Sequence, residues 1–84
     1  MKMRGSSGIW HDFYGVFDRE GYIVLVDRYE TLNLKEALKI RAKILDMEGT
    51  GNMVRGIILC RNVKEEAIKL LREYGNIKVY REVL

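Results

Sequence analysis

Two runs of consecutive apolar residues, at 22–26 and 57–60, stand out in a chain that otherwise mixes polar and apolar positions. Strands covered on both faces have this pattern, whereas half-exposed strands alternate. We therefore predict that both runs lie centrally in a sheet. The segment 9–17 is rich in aromatic and β-branched residues, and we expect it to pair with the first run as an antiparallel hairpin. The tight turn between them would use Gly21, which can adopt a positive φ at little cost.

Helical spacing of apolar residues begins after Asn33 and again after Asn62. Each asparagine precedes a glutamate by three positions, at Glu36 and Glu65, and this pairing is typical of a capped helix start. The glycines of the segment 49–52 are expected to end the first helix. The pattern therefore predicts two helices, one before and one after the second apolar run.

A strand, a helix and a further strand in succession form a parallel unit with a right-handed crossover. The segment 77–84 alternates roughly and is expected to be an edge strand. The predicted order is ββαβαβ, an α/β fold with a mixed sheet and helices packed on it. The segment 1–8 has no apolar pattern and includes two glycines, so we interpret it as a flexible tail before a single α/β domain at 9–84.

The composition excludes a disulfide-stabilised, a zinc-binding and a membrane-spanning protein. With 84 residues and one cysteine, Cys60, the chain can form neither an intrachain disulfide nor a Cys/His zinc centre. No apolar run approaches the roughly 18–20 residues of a membrane span, and a lone thiol suits a reducing compartment. We therefore expect a cytoplasmic protein without a membrane partner. The charged fraction of 32% and the absence of glutamine favour a thermophilic source.

The charge balance is compatible with a nucleic-acid partner. Fifteen basic residues against twelve acidic ones leave a net charge of +3. Lysines recur every four residues along one stripe of the first predicted helix, and arginines lie near strand ends; such a stripe can also be a plain solvated face. The residues that we predict to contact nucleic acid are Arg28, Lys35, Lys39, Lys43, Arg55 and Arg61.

The predicted hairpin could bring two carboxylates together. Asp12 lies on its first strand and Asp27 at the end of its second, so antiparallel pairing returns the chain past itself. Mg²⁺ takes carboxylate oxygens from proteins, and one or two are enough where phosphates supply other ligands. Tyr29, two positions beyond Asp27, projects to the same face because side chains alternate along a strand.

The segments Gly8–Gly15 and Gly21–Tyr29 resemble the hairpin of the PD-(D/E)xK nucleases, in the RecB-like and archaeal branch of the restriction-endonuclease-like superfamily. In that family an aspartate precedes a strand pair that ends in a carboxylate, any residue and then a lysine. The resemblance continues through a helix to the segment 54–60 and a helix beginning near Val63, and it covers about residues 8–84. It implies a restriction-endonuclease-like minimal core, an archaeal origin and Mg²⁺-dependent cleavage of nucleic acid, with DNA favoured.

The resemblance implies that Asp12 and Asp27 are the metal ligands. Tyr29 stands at the position of the family's lysine, which is implied to activate the attacking water and to stabilise charge on the phosphate. A tyrosine hydroxyl, which titrates near pH 10, could orient a water but cannot replace a cation. In the family such catalytic groups can migrate to neighbouring positions. The candidates for a migrated group here are Glu30, Lys39 and Lys43.

Two function classes remain open. One is a nuclease-fold domain that binds nucleic acid and cleaves it with Mg²⁺ at a degenerate site. The other is a non-catalytic binding or assembly module that has lost the nuclease lysine. The helix that commonly precedes the family core is missing, so we expect a second copy to cover the exposed surface, giving a homodimer. The aromatic residues of the segment 10–17 are interpreted as core or dimer contacts rather than as a base-stacking platform.

Overall fold

A computed structural model describes residues 1–82 of the chain, which form strands and helices in close succession. In chain order they are β1 (Lys2–Arg4), β2 (Trp10–Asp12), β3 (Gly15–Arg19), β4 (Tyr22–Leu32), α1 (Leu34–Glu48), β5 (Met53–Val63), α2 (Glu65–Arg72) and β6 (Ile77–Arg81). The last two residues of the predicted edge strand and of the predicted domain, 83 and 84, lie outside the described residues.

The main sheet contains four strands in the order β3-β4-β5-β6. β3 runs antiparallel to β4, while β4, β5 and β6 run parallel, so α1 and α2 serve as the crossovers. The hairpin turns at Glu20 and Gly21, and the φ of 91° at Gly21 is a value that glycine adopts without steric cost. The prediction of an α/β fold with a mixed sheet and helices packed on it is confirmed.

Both helices pack on one face of this sheet and form the core with it. α1 begins as the sequence predicts, because Asn33 Oδ1 accepts a hydrogen bond of 2.9 Å from the backbone N–H of Glu36. The apolar stripe of the helix then meets the inward side chains of the strands. The fully buried large side chains of this core are Leu25, Leu32, Ile40, Met47, Ile58, Cys60 and Leu71.

Cys60 is packed on the helix side of β5. Its burial raises the pKa of the thiol, so the reactive thiolate form is disfavoured. Its Sγ lies 3.8 Å from the backbone oxygen of Tyr80 on the neighbouring strand β6. Cys60 is therefore a core side chain at the junction of two strands.

The N-terminal segment differs from the prediction. Where the sequence predicts a tail, Lys2–Arg4 form β1, which pairs antiparallel with β2. The strand predicted over 9–17 is divided around the buried Phe13, so that β2 joins β1 and β3 joins the main sheet. β1 has no apolar pattern because Met3 is its one side chain packed against the core. Backbone pairing and polar contacts also hold this segment, including a hydrogen bond of 3.0 Å from the Ser6 N–H to the Asp46 backbone oxygen.

The two central strands are longer than their apolar runs. β4 spans Tyr22–Leu32 and β5 spans Met53–Val63, and their parallel pairing extends from the first residues to the last. Asp27 therefore lies in the middle of β4 rather than at its end, which corrects the prediction. Asn62 lies within β5 and does not cap a helix; α2 instead follows Lys64, which makes no capping hydrogen bond with its side chain.

The other face of the main sheet carries no helix in the part of the chain that the structure describes, and we call it the open face. Its side chains come from alternate positions of β3, β4, β5 and β6. The apolar and aromatic ones are Phe17, Tyr22, Val24, Val26, Met53, Ile57, Leu59 and Tyr80. The basic ones are Arg19, Arg28, Arg55, Arg61 and Lys78.

Candidate functional site

The centre of the site is an ion pair between Asp27 of β4 and Lys43 of α1. Nζ of Lys43 lies 2.6 Å from Oδ2 of Asp27 and 2.7 Å from the backbone oxygen of Asp12. Both side chains are largely buried, with 11% of Asp27 and 18% of Lys43 exposed. Phe13 lies beside the ammonium, whose Nζ is 4.4 Å from the ring centroid. One lysine therefore joins the end of β2, the middle of β4 and the helix α1.

Lys43 reaches Asp27 because of its place on α1. The buried residues Ile40, Ile44 and Met47 hold the second half of the helix against the sheet. Lys43 lies on the flank of this apolar stripe, three positions after Ile40 and next to Ile44. A lysine at such a flank can lay its aliphatic stem along apolar surface while its ammonium meets a carboxylate.

Asp12 contributes its backbone oxygen to the ion pair, and its carboxylate lies outside it. Oδ1 of Asp12 is 3.2 Å from the N-terminal ammonium of Met1, and 72% of the Asp12 side chain is exposed. The same ammonium donates to the backbone oxygen of Phe13 at 2.8 Å. Its hydrogen bond and charge lower the pKa of Asp12, so this carboxylate is ionised at neutral pH. Lys43 thus joins the backbone of Asp12 to the side chain of Asp27, while the Asp12 carboxylate is directed to the Met1 ammonium.

Tyr29 lies on the same side of β4 as Asp27, as the strand periodicity predicts. Its hydroxyl donates to Oδ2 of Asp27 over 3.4 Å. Burial, and then the charge of Asp27, raise the pKa of Tyr29, so the phenol keeps its proton. Tyr29 can therefore orient the Asp27 carboxylate but supplies no positive charge.

The other candidates for a migrated group lie away from the ion pair. Glu30 projects from the open face, where its Oε2 is 3.6 Å from Nε of Arg61. Lys39 is exposed on α1, as is Lys35, which is a predicted nucleic-acid contact and not one of these candidates. Of the three candidates, the structure places only Lys43 against a carboxylate of the predicted site.

The residues predicted to contact nucleic acid fall on two sides of the sheet. The helical lysines lie on the helix side, whereas Arg28, Arg55 and Arg61 project from the open face. Arg28 forms a bidentate salt bridge with Glu82, with N–O distances of 2.8 and 2.9 Å. The guanidinium of Arg55 lies 4.8 Å from the ring centroid of Tyr22. The structure therefore does not gather these basic residues into one patch.

The donor chemistry around Asp27 fits a hard divalent cation in kind. Asp12 and Asp27 offer carboxylate oxygens, which are the ligands that Mg²⁺ prefers in proteins. Within residues 1–82, no group of three or more His, Cys, Asp or Glu side chains could hold a metal ion. A cation at this place would therefore take most of its coordination from water and from a phosphate.

A second polar cluster is centred on Asp46 of α1, and it was not predicted from the sequence. The Asp46 carboxylate accepts from the Ser6 hydroxyl at 2.9 Å and from the Ser7 N–H and hydroxyl at 2.8 and 2.7 Å. His11 Nε2 lies 2.6 Å from Oδ2 and is the donor, because a carboxylate only accepts. The turn-like composition of the segment 5–8 is the one signal in the sequence, and it does not indicate a partner on a distant helix. The cluster fastens the β1–β2 connection to α1.

The Asp46 cluster predicts a pH dependence of stability. Hydrogen bonds from His11 and then from Ser7 lower the pKa of Asp46 in the folded state. A depressed carboxylate pKa stabilises the fold above the unfolded pKa of about 4, and this contribution is lost as pH falls towards the folded value. We expect Asp46→Asn to melt at a lower temperature than the wild type at pH 7, and the difference to shrink progressively below about pH 4.

Thermal melts between pH 2 and pH 7, followed by circular dichroism, measure this difference. Asp18→Asn is the matched control because Asp18 is an exposed aspartate of β3, and its melting temperature should follow the wild type throughout. A difference for Asp46→Asn that stays constant down to pH 2 would contradict the assignment.

In the part of the chain that the structure describes, no helix has both the length and the apolar character needed to cross a membrane. Comparisons of the chain with protein-family models, with curated proteins and with solved structures gave no match. The function is therefore inferred from the site itself.

Proposed function

We propose that this chain is a nuclease-type domain that binds nucleic acid and hydrolyses its phosphodiester bonds at the Asp12–Asp27–Lys43 site. The observation that carries the proposal is the position of Lys43, 2.6 Å from Oδ2 of Asp27 and 2.7 Å from the Asp12 backbone oxygen. It supplies a lysine beside the second carboxylate, as the PD-(D/E)xK pattern requires, from α1 instead of from position 29. As part of the same proposal, we assign the sheet and helices to a restriction-endonuclease-like minimal core.

Lys43 provides the positive charge that Tyr29 lacks. In phosphodiester hydrolysis a water oxygen attacks phosphorus, the bond from phosphorus to the leaving sugar oxygen breaks, and negative charge grows on the phosphoryl oxygens. A preorganised cation in a water-poor site stabilises this charge without further reorganisation. The two oxygens that hold the Lys43 ammonium orient it before a substrate arrives.

Asp12 and Asp27 are the residues that would hold a divalent cation. Such a cation, when bound, neutralises phosphate charge and lowers the pKa of a coordinated water. Asp12 is exposed and ionised, so it is accessible to a cation that arrives with a phosphate. Asp27 is buried, and its carboxylate is fixed in orientation by Lys43 and Tyr29.

Cleavage assays test this proposal. Labelled single-stranded, duplex and branched DNA are incubated with the protein in Mg²⁺, in Mn²⁺ and in EDTA. We expect cleavage that requires the cation, is abolished in Asp27→Asn and falls about a hundredfold in Lys43→Met, because each variant removes a charge from the site.

The controls separate loss of chemistry from loss of fold. Lys69→Met is the matched control, since Lys69 is an exposed lysine of α2 that pairs with Glu65. Asp12→Asn changes an exposed carboxylate, so it keeps the test decisive if the Asp27 or Lys43 variant unfolds. No cleavage by the folded wild-type chain, or cleavage unchanged in both aspartate variants, overturns the catalytic proposal.

A non-catalytic binding module is the second candidate, and one observation favours it. Oδ2 of Asp27 is paired with the Lys43 ammonium and Oδ1 of Asp12 with the Met1 ammonium. Each carboxylate is therefore neutralised without a metal ion. For such a module, titration of Mn²⁺ by calorimetry would give no heat that Asp27→Asn removes. Binding of DNA would then be the same in EDTA as in Mg²⁺.

A further inference from the structure

The open face presents two exposed aromatic rings at its two edges. Phe17 on β3 is 50% exposed and Tyr80 on β6 is 53% exposed. The Phe17 ring lies against the strand because Gly15 has no side chain; a Cβ there would be 3.0 Å from Cε2 of Phe17. Three strand spacings separate the edges by about 14 Å, and the register sets Tyr80 level with Arg28, four residues along β4 from Val24, the partner of Phe17. A four-stranded sheet with exposed aromatic side chains can stack two or three unpaired bases.

The floor between these rings is apolar and carries no helix within residues 1–82. Val24 on β4 and Ile57 and Leu59 on β5 are half-buried, whereas Val26 on β4 is buried, with 9% of it exposed. Parallel strands are usually covered on both faces, and β4, β5 and β6 are parallel. The open face is therefore suited to a partner that brings flat apolar surface.

Three cations at one end of the open face have no counter-charge. Arg19, Arg55 and Lys78 are exposed and belong to none of the ion pairs formed within the described residues. Arg28 and Arg61 differ, because each is paired with a glutamate. The partner that complements this end of the face therefore carries negative charge.

We propose that the open face binds single-stranded nucleic acid. Bases stack on Phe17 and Tyr80 across the apolar floor, and phosphates lie near Arg19, Arg55 and Lys78. The flat bases of a single strand match the aromatic rings and the apolar floor of this face. Its regularly spaced phosphates match the three cations. Duplex DNA matches it less well, because its bases are already stacked on one another and are withheld from the aromatic rings.

A second copy of the chain also matches the open face less well. Two open faces related by a two-fold axis would bring the same three cations, Arg19, Arg55 and Lys78, from both copies into one interface. Like charges brought together across an interface oppose association. The predicted homodimer is therefore an alternative outcome of the test.

This surface is separate from the Asp27–Lys43 site, which lies on the helix side of the same sheet. Binding on the open face needs no divalent cation and no cleavage. The proposal therefore does not rest on the proposed function, and the two can fail independently.

Fluorescence anisotropy tests the proposal with a labelled 12-nucleotide oligo-dT and a mixed-sequence duplex of the same length, in EDTA and 50–200 mM NaCl. We expect the single strand to bind with a Kd of about 1–100 µM and the duplex more weakly. Phe17→Ala and Tyr80→Ala should each weaken binding about fivefold to a hundredfold. Arg55→Gln should lower the slope of log K against log salt by about 0.7.

Matched variants outside the open face serve as controls. Trp10→Ala removes an exposed aromatic ring from the separate β1–β2 sheet, and Lys69→Gln removes an exposed positive charge from α2. Both should bind within about twofold of the wild type, because neither contacts the open face. All of these positions are exposed, and circular dichroism checks that each variant is folded.

Several outcomes overturn the proposal. These are duplex binding as tight as single-strand binding, affinity unchanged in both Phe17→Ala and Tyr80→Ala, and no binding at 50 mM salt. A free protein that is dimeric by light scattering and becomes monomeric in Phe17→Ala shows instead that a second copy occupies the open face. Single-strand binding that persists in EDTA and in Asp27→Asn, without cleavage in Mg²⁺ or Mn²⁺, supports this inference and removes the proposed catalytic function.

Discussion

Lys43→Met is expected to lower the free energy of unfolding by about 3 kcal/mol, because it leaves Asp27 as a buried charge without its partner. The lysine is the one cation bonded to Asp27 within the described residues, and it also ties down the backbone of Asp12. Its contact with the Phe13 ring is lost as well. Urea denaturation at pH 7 measures the change.

Two further variants show whether the loss comes from the unpaired charge. Lys69→Met removes an exposed lysine and should change stability by less than about 0.5 kcal/mol. The double variant Lys43→Met/Asp27→Asn removes both charges while leaving an acceptor for Tyr29, so it should recover most of the lost stability. A double variant less stable than Lys43→Met alone would show that Asp27 is not buried against this lysine.

Ile58→Ala is expected to cost about 3 kcal/mol, whereas Ile57→Ala should cost about 1 kcal/mol. The two isoleucines are neighbours on the central strand β5 but lie on opposite faces of the sheet. Ile58 is 1% exposed beneath the helices, and Ile57 is half-buried on the open face. Removing the Ile58 side chain leaves a cavity in the core, while removing that of Ile57 uncovers surface that already meets water.

Urea denaturation measures the free energy of unfolding of both variants, and the difference between them shows which face of β5 each side chain occupies. The pair serves as its own control, because the same groups are deleted from adjacent positions of one strand. A larger loss for Ile57→Ala would mean that the strand is shifted by one residue, which exchanges its two faces. Equal losses would mean that the open face is covered as fully as the helix side.

Local signals in the sequence predict the parts of the fold that depend on local physics. The α1 cap forms because the Asn33 side chain and the Glu36 N–H are only one helical turn apart. The hairpin turns at Gly21 because that position requires a positive φ. The two apolar runs identify the central strands, and with one helix between them and one after the second they predict a mixed α/β sheet.

The extent of the strands is less evident, because apolar runs mark only their covered portions. Beyond Val26, β4 alternates polar side chains on its two faces, with Asp27 and Tyr29 inward and Arg28 and Glu30 outward. Hydrogen bonds and ion pairs satisfy these groups, so the strand continues without a hydrophobic signal. β1 also lacks a hydrophobic pattern in the sequence, because backbone pairing and polar contacts contribute to holding it.

Part of the candidate site follows from local sequence signals, and part depends on contacts between distant segments. Strand periodicity correctly places Asp27 and Tyr29 on one face. The selection of Lys43 among the helical lysines depends on how α1 crosses β4, which is set by packing of the whole core and cannot be derived from spacing along the chain. The partner of His11 is equally non-local, since Asp46 lies on a helix that follows the entire hairpin.

The burial of Cys60 has a practical consequence for measuring the motions of this chain. The thiol is unique in the sequence and fully buried in the core on the helix side of β5. A thiol reagent can reach it only in molecules where the packing around it has opened, so its rate of modification reports the free energy of opening in native conditions. The chain thus contains its own reporter of local unfolding, placed on the central strand beneath the helices.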